Sequence, residues 1–216
     1  MKVILIDIDD TLIDSLERTK AIAESILECE ISMDDMLNLD LEQIFFKYAD
    51  DSQKSHANEL RQLFRDTLLC KNKKGIELMT LNKPILDAAS VLKQWYKQFR
   101  LIYITGRLER VRALTFSELK RFGFPIQDSR LYMIEREDQV FKIPFPAIRK
   151  EQLSLIMNDF DSKTVIRIVD DFPGYFPCYQ EFSIPERYGY CYRNRNPQDF
   201  VKNGATRVFT KWSELI

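Results

Sequence analysis

The strongest constraint on how this chain folds is a series of short apolar runs that alternate with helical patterns. The first run, residues 2–6 (KVILI), is continuous in aliphatic and β-branched side chains. Such a run is typical of a strand that is buried on both faces of a parallel sheet. Similar runs lie at residues 99–104, 130–134 and 164–169, and weaker ones lie at residues 188–192 and 206–209.

Helical patterns lie between these runs. Apolar residues recur at three-and-four spacing over residues 84–98, 108–122 and 146–159. Strands that alternate with helices predict an α/β fold with a doubly wound parallel sheet. We therefore expect residues 1–13 and 84–216 to form an α/β core.

Residues 14–83 are the exception, because they contain helical patterns and no strand run of comparable strength. The patterns predict helices at residues 15–28, 41–48 and 56–69, polar breaks at 32–35 and 50–52, and an exit loop at 71–75. We expect this segment to be a small helical domain inserted after the first strand.

Composition excludes several kinds of chemistry. The chain of 216 residues has 32 basic and 33 acidic side chains, so its net charge of −1 does not indicate a nucleic-acid partner. The four cysteines form no CxxC pair, which argues against a zinc site or a disulfide framework. The only histidine, His56, lies in a polar stretch without a nucleophile motif. Any catalysis must therefore depend on carboxylates.

The sequence also predicts where the protein works. The amino-terminal apolar run is too short for a signal peptide, and nowhere do eighteen apolar residues follow one another. We expect a cytoplasmic protein with no membrane partner. Nothing in the sequence indicates its oligomeric state.

The motif Asp7-Ile8-Asp9-Asp10-Thr11 follows the first predicted strand directly. Side chains two residues apart in an extended chain point the same way, so Asp7 and Asp9 converge at the carboxyl end of that strand. At a separation of about 4 Å and an effective dielectric constant of about 20, two carboxylates repel by about 4 kcal/mol. The motif therefore requires a cation or a proton nearby.

Polar residues follow two further strands. Thr105-Gly106-Arg107 combines a hydroxyl, a glycine that lets the backbone approach a ligand, and an arginine where a helix is expected to begin. This combination suits a phosphate, although an arginine at a helix start is equally often a surface ion pair. Asp170-Asp171 closes the run at 164–169. Ligand sites of open α/β sheets lie at the carboxyl ends of the strands, so we expect all three stretches to meet.

These motifs resemble those of the haloacid dehalogenase (HAD) superfamily. Asp7, Asp9 and Thr11 match its DxDx(T/V) signature, Thr105 matches its second motif, and the pair 170–171 matches its acidic fourth motif. The helical insertion lies where the family's first-type (C1) cap lies. The resemblance thus implies a Rossmann-like core with a helical cap.

The family's third motif is a lysine, and two candidates are present. Lys150 is preferred, because one helix and a turn fit between it and the next predicted strand. Lys142 is the alternative, since some members have a lysine shortly before prolines at the helix entry.

The resemblance implies a mechanism. Asp7 would attack phosphorus to form an aspartyl phosphate, and Asp9 would protonate the leaving group and then activate water. Magnesium would be held by the carboxylates of Asp7 and Asp171 and by the backbone carbonyl of Asp9.

Further residues have implied supporting roles. Thr105, the Gly106 amide and Lys150 would stabilise charge on the transferred group, and Arg107 is a candidate substrate clamp. Asp170 would orient the lysine or the water shell of the metal.

The resemblance does not identify the substrate. A small phosphorylated metabolite, such as a nucleotide, sugar or organic acid phosphate, is the leading hypothesis. A nucleic-acid end phosphatase resembling the phosphatase domain of polynucleotide kinase-phosphatases, a phosphomutase and a catalytically silent binding protein are the alternatives. Residues 193–196 (RNRN) could contact nucleic acid, but their pattern favours an exposed turn.

Overall fold

The computed structural model describes residues 1–135, 140 and 143–216 and divides into two compact units. The α/β unit comprises Met1–Ile13 and Pro84–Ile216, and the helical unit comprises Asp14–Lys83. The chain passes between them through two short strands, β2 (Ile13–Asp14) and β3 (Lys83–Pro84).

The α/β unit is built on a six-stranded sheet in which every pair of neighbouring strands is parallel. Its strands are β1 (Val3–Asp7), β4 (Arg100–Leu108), β5 (Arg130–Ile134), β6 (Val165–Asp170), β7 (Glu186–Tyr190) and β8 (Arg207–Phe209). Their spatial order is β5-β4-β1-β6-β7-β8, so the direction of winding reverses at β1. The predicted doubly wound parallel sheet is confirmed, and the reversal marks the expected ligand edge.

Strand β1 lies at the centre of this sheet. All five of its residues are buried. Val3 and Leu5 belong to an apolar cluster that also includes Ile102 and Ile168 from the two neighbouring strands. Ile4 and Ile6 alternate with them and are fully buried as well. Both faces of the strand are therefore covered, which explains why its sequence is continuously apolar.

The described part of the α/β unit contains five α-helices. They are α7 (Ala88–Tyr96), α8 (Arg112–Arg121), α9 (Phe145–Asp159), α10 (Phe176–Glu181) and α11 (Pro197–Lys202). The first three coincide with the predicted helical patterns. Helix α9 buries Leu153 and Ile156 in the same cluster as the centre of the sheet, and this packing fixes the side of α9 that faces the strands. None of the described helices is both long and apolar enough to cross a lipid bilayer.

The helical unit, all of whose residues are described, contains six helices around its own apolar cluster. They are α1 (Leu16–Leu27), α2 (Met33–Asn38), α3 (Leu41–Tyr48), α4 (Asp51–Ser55), α5 (Ala57–Leu68) and α6 (Lys73–Leu78). In the cluster, Phe45 and Phe64 meet edge to face with ring centroids 6.1 Å apart. The three helices predicted from the sequence are α1, α3 and α5.

The remaining three helices, α2, α4 and α6, correct the prediction of breaks and a loop. The polar residues at those positions are helix caps. The side chains of Ser32, Asp50 and Asn72 accept hydrogen bonds from backbone N–H groups three residues ahead, over 3.1, 2.7 and 2.9 Å. Such residues favour turns and helix starts equally, so their presence alone did not distinguish the two.

Candidate active site

A tight turn positions the acids that follow β1. The carbonyl of Ile8 accepts hydrogen bonds from the N–H groups of Leu12 and Ile13 over 2.8 and 3.0 Å. Asp10 adopts a left-handed conformation with φ of 60°, which aspartate tolerates better than most residues. From the far end of the chain, the indole N–H of Trp212 donates to the Thr11 carbonyl over 2.9 Å. Hydrogen bonds within the turn and one from residue 212 thus fix its conformation.

Three of the predicted acids come together at the carboxyl ends of β1 and β6. Asp7, Asp170 and Asp171 are buried, and each offers one carboxylate oxygen within 4.8 Å of the others. The hydroxyl of Thr11 lies 3.2 Å from both Asp7 Oδ2 and Asp171 Oδ1. We call these three aspartates the acid cluster; they meet because β1 and β6 are neighbours in the sheet.

Burial disfavours the charged form of the carboxyl groups in the acid cluster. It raises the pKa of the Asp7 carboxyl well above its ordinary value, and the charge of Asp170 raises this pKa further. Burial also raises the pKa of Asp171, although Arg195 opposes this effect. A divalent cation bound among these oxygens would favour the ionised carboxylates.

The donor set fits a hard divalent cation such as magnesium, because all its atoms are carboxylate oxygens. The two oxygens of Asp170 already accept hydrogen bonds, one from the Phe172 N–H over 2.8 Å and one from the Tyr179 hydroxyl. The oxygens of Asp7 and Asp171 also have partners within the protein, namely Arg149, Thr11 and Arg195, so a cation bound to any of the three acids must compete with a protein contact.

Arg149, on α9, is a basic residue that reaches the acid cluster, and it was not predicted from the sequence. Its Nη2 lies 2.7 Å from Asp7 Oδ1 and 3.5 Å from Asp170 Oδ2. The guanidinium is buried and lies 4.4 Å from the ring centroid of Tyr175. Its other terminal nitrogen, Nη1, is buried without a hydrogen-bond partner among the described residues.

Lys150 does not join the acid cluster. Its ammonium group pairs with Glu181, and its side chain is 45% exposed. Successive residues of a helix are rotated by about 100°, so the residue after Arg149 points away from the strands. The placement of Lys150 in the site is therefore wrong. The alternative, Lys142, lies outside the described residues.

Two environments were predicted for Arg107, a phosphate-binding site and a surface ion pair, and its observed environment differs from both. Strand β4 continues to Leu108, so Arg107 lies within the strand and not at a helix start. Its Nε and Nη2 bind the Asp9 carboxylate, with distances to Oδ1 of 3.1 and 2.7 Å, and its Nη1 lies 2.6 Å from Glu118 Oε2. At 6% exposure, Arg107 is neither a surface ion pair nor an open substrate clamp.

Thr105 and Gly106 lie beside this ion pair. The Thr105 hydroxyl is 3.3 Å from Asp9 Oδ2, and the Thr105 carbonyl accepts a hydrogen bond of 2.8 Å from Gln152. A Cβ atom added to Gly106 would meet nothing within 4 Å, so there is open space on that side of the backbone. The structure thus places Thr105 against Asp9 and leaves room for a ligand at Gly106.

Residues 193–196 are not a simple exposed turn. Arg193 Nη2 lies 3.1 Å from Asp10 Oδ1, and Arg195 Nη2 lies 2.6 Å from Asp171 Oδ2. The loop after β7 therefore brings two arginines to the acids that follow β1 and β6. No pattern in the sequence indicated this role.

Comparison with known proteins identifies the fold. No family model matches the sequence, and no curated protein is significantly similar to it. Among solved structures, a candidate phosphatase from Clostridium difficile has 18% identity and a TM-score of 0.67, with 99% of this chain and 96% of that chain covered. A HAD-superfamily hydrolase of subfamily IA from Geobacter sulfurreducens has 14% identity and a TM-score of 0.63, with 100% and 94% covered.

A third similar structure is a candidate phosphoglycolate phosphatase from Haemophilus somnus, with 14% identity and a TM-score of 0.61 over 100% of this chain and 96% of that chain. At these identities the likeness concerns the fold. The full coverage means that the helical unit is matched as well as the α/β unit. The chain therefore has the fold of the haloacid dehalogenase-like hydrolases, as its sequence motifs predict.

Proposed function

We propose that the protein is a magnesium-dependent phosphomonoester hydrolase that acts on a small phosphorylated metabolite through an aspartyl phosphate at Asp7. The observation that carries this proposal is the acid cluster, in which three buried carboxylates lie within 4.8 Å of one another beside a buried arginine. The similar structures support it, since they include candidate phosphatases.

Asp7 is the nucleophile in this proposal. Arg149 holds Asp7 Oδ1, which leaves its Nη1 as a donor for a phosphoryl oxygen. Attack of the carboxylate on phosphorus breaks the ester bond and forms the aspartyl phosphate, and water then hydrolyses it. Arg149 replaces Lys150 as the basic residue of the third motif.

Magnesium would be held by the carboxylates of Asp7 and Asp171 and by the backbone carbonyl of Asp9. When bound, the cation offsets the negative charges of the nucleophile and the phosphate. Asp170, whose oxygens are held by Phe172 and Tyr179, orients Arg149 at the edge of this site.

Asp9 is the general acid and base. Arg107 fixes the orientation of its carboxylate, and Glu118 in turn holds Arg107. Arg107 is thus a positioning residue and not a substrate clamp. The Thr105 hydroxyl also contacts Asp9, and the Gly106 amide would donate to a phosphoryl oxygen of a substrate bound beside it.

The helical unit is the cap that selects the substrate. Its sequence position between β2 and β3 corresponds to that of a first-type cap. Its own apolar cluster makes it a compact unit distinct from the α/β unit.

A screen of phosphorylated metabolites with magnesium tests the proposed function. We expect hydrolysis that EDTA abolishes and that Asp7→Asn reduces to the uncatalysed rate, because the amide is not a nucleophile. The exposed Asp199→Asn is the matched control and should keep full activity. Unchanged turnover in Asp7→Asn would exclude Asp7 as the nucleophile.

A further inference from the structure

The acids that follow β1 and β6 each have an arginine partner, but the four partners differ in exposure. Arg149 and Arg107 pair with Asp7 and Asp9 and are 3% and 6% exposed in their side chains. The arginines of the loop after β7 are more accessible: Arg193 is 20% exposed, and Arg195 is 33% exposed. Of these four arginines, only Arg195 contacts a member of the acid cluster from an accessible position.

Asp171 is the residue on which this pairing acts. Its Oδ2 lies 2.6 Å from Arg195 Nη2, and its Oδ1 lies 3.2 Å from the Thr11 hydroxyl. Both oxygens therefore have a protein partner. A cation bound to Asp171 would share a carboxylate with a positive guanidinium, and like charges at such short range repel.

The loop that carries Arg195 is fixed at both ends. The Cys191 N–H donates to the carbonyl of Phe209 over 2.8 Å, and the Cys191 thiol lies 3.1 Å from the carbonyl of Arg195. Asn196 caps helix α11 by accepting a hydrogen bond from the Gln198 N–H over 3.0 Å. The backbone at Arg195 is thus anchored, while its side chain is 33% exposed and its guanidinium lies 5.7 Å from the Phe172 ring centroid.

We propose that Arg195 sets the affinity of the acid cluster for its divalent cation by competing with that cation for Asp171. The inference rests on the proposed function, because it takes the acid cluster to be a cation site. Arg195 neutralises Asp171 when the cation is absent and turns away when it binds. Because the cation must break this pair in order to bind, the cost of breaking it lowers the observed affinity of the unmodified chain.

Calorimetric titration of the full chain with magnesium alone, repeated with manganese, tests this inference without substrate. We expect Arg195→Gln to bind either cation about tenfold or more tightly than the unmodified chain, because removing the competitor leaves Asp171 with its full charge. Arg195→Lys keeps a positive charge and should stay close to the unmodified affinity.

Arg193→Gln is the matched control. Arg193 lies in the same loop and forms the same kind of ion pair, but with Asp10, which is outside the acid cluster. It should change cation affinity much less than Arg195→Gln does, because Arg193 pairs with Asp10 and not with a carboxylate of the acid cluster. Thermal unfolding of each variant confirms that it is folded.

The possible results separate the two proposals. If Arg195→Gln binds the cation equally well or more weakly while Asp7→Asn abolishes hydrolysis, the competition is wrong and the proposed function stands. If neither the unmodified chain nor Arg195→Gln binds a divalent cation, both fail. Equal tightening by Arg193→Gln would also overturn the specific role of Arg195.

Discussion

Arg149 and Lys150 are neighbours in sequence with opposite surroundings, and the difference follows from the rotation of the helix. The buried side of α9 carries Arg149, Gln152, Leu153 and Ile156, which recur at three-and-four spacing. Lys150 lies outside this spacing and reaches Glu181 at the surface. The spacing was visible in the sequence, so the phase of the helix could have identified the arginine.

Substitutions at these two positions test the assignment. We expect Lys150→Ala to keep kcat/KM within about twofold, since a surface ion pair contributes little. Arg149→Lys should lower kcat/KM by about 10² or more, because the ammonium group loses the fixed second donor of the guanidinium. Steady-state kinetics measure both values, and thermal unfolding serves as the check on folding. A large loss for Lys150→Ala with none for Arg149→Lys would reverse the assignment.

Sequence patterns predicted the strands that are buried on both faces and the helices that have one apolar side. The central strands are covered on both faces, so their apolar runs are continuous, and α1, α3 and α5 have an apolar side. The short helices α2, α4 and α6 begin at capping residues that also favour turns. Local sequence could not decide between these two outcomes.

The end of β4 was missed for another reason. The predicted strand stopped where polar residues begin, yet Thr105 and Arg107 continue it. The Thr105 carbonyl accepts from Gln152 on α9, and Arg107 pairs with Glu118 on α8, so contacts outside the strand satisfy these polar groups. The acid cluster was predictable because the strand ends carry it, whereas Arg195 depends on the course of a loop that no local pattern specifies.

The packing of α6 against α5 gives a prediction for a single element. A Cβ atom added to Gly75 would lie 2.0 Å from the Thr67 carbonyl oxygen, which is backbone and cannot move aside easily. We expect Gly75→Ala to destabilise the helical unit by about 1–3 kcal/mol or more. Gly106→Ala, which meets nothing within 4 Å, should leave stability unchanged. Denaturant unfolding followed by circular dichroism measures both; equal midpoints for the two variants would contradict the expectation.

At the scale of the whole molecule, the α/β unit contains every residue of the acid cluster together with Arg149 and Arg195. The Ile85 N–H donates to the Leu12 carbonyl over 2.8 Å, so the points where the chain leaves and re-enters this unit lie next to each other. The two ends of the α/β unit at the insertion are therefore joined by a hydrogen bond that involves no residue of the helical unit.

Replacing residues 14–83 with a short glycine-serine linker tests this independence. We expect the shortened chain to fold, because the α/β unit has its own apolar cluster, and to bind magnesium with little change in affinity. Near-ultraviolet circular dichroism and calorimetry measure the two properties. A chain without fixed tertiary structure would show that the two units depend on each other for folding.

The hydrogen bond from Trp212 to the Thr11 carbonyl links two positions that are 201 residues apart in sequence. During synthesis, the turn that carries Asp9 and Asp10 is made 201 residues before Trp212, whose indole N–H donates to one of its buried carbonyls. An unsatisfied buried carbonyl is costly. The turn therefore gains this hydrogen bond only after β4 and β6, the strands on both sides of β1, have been produced.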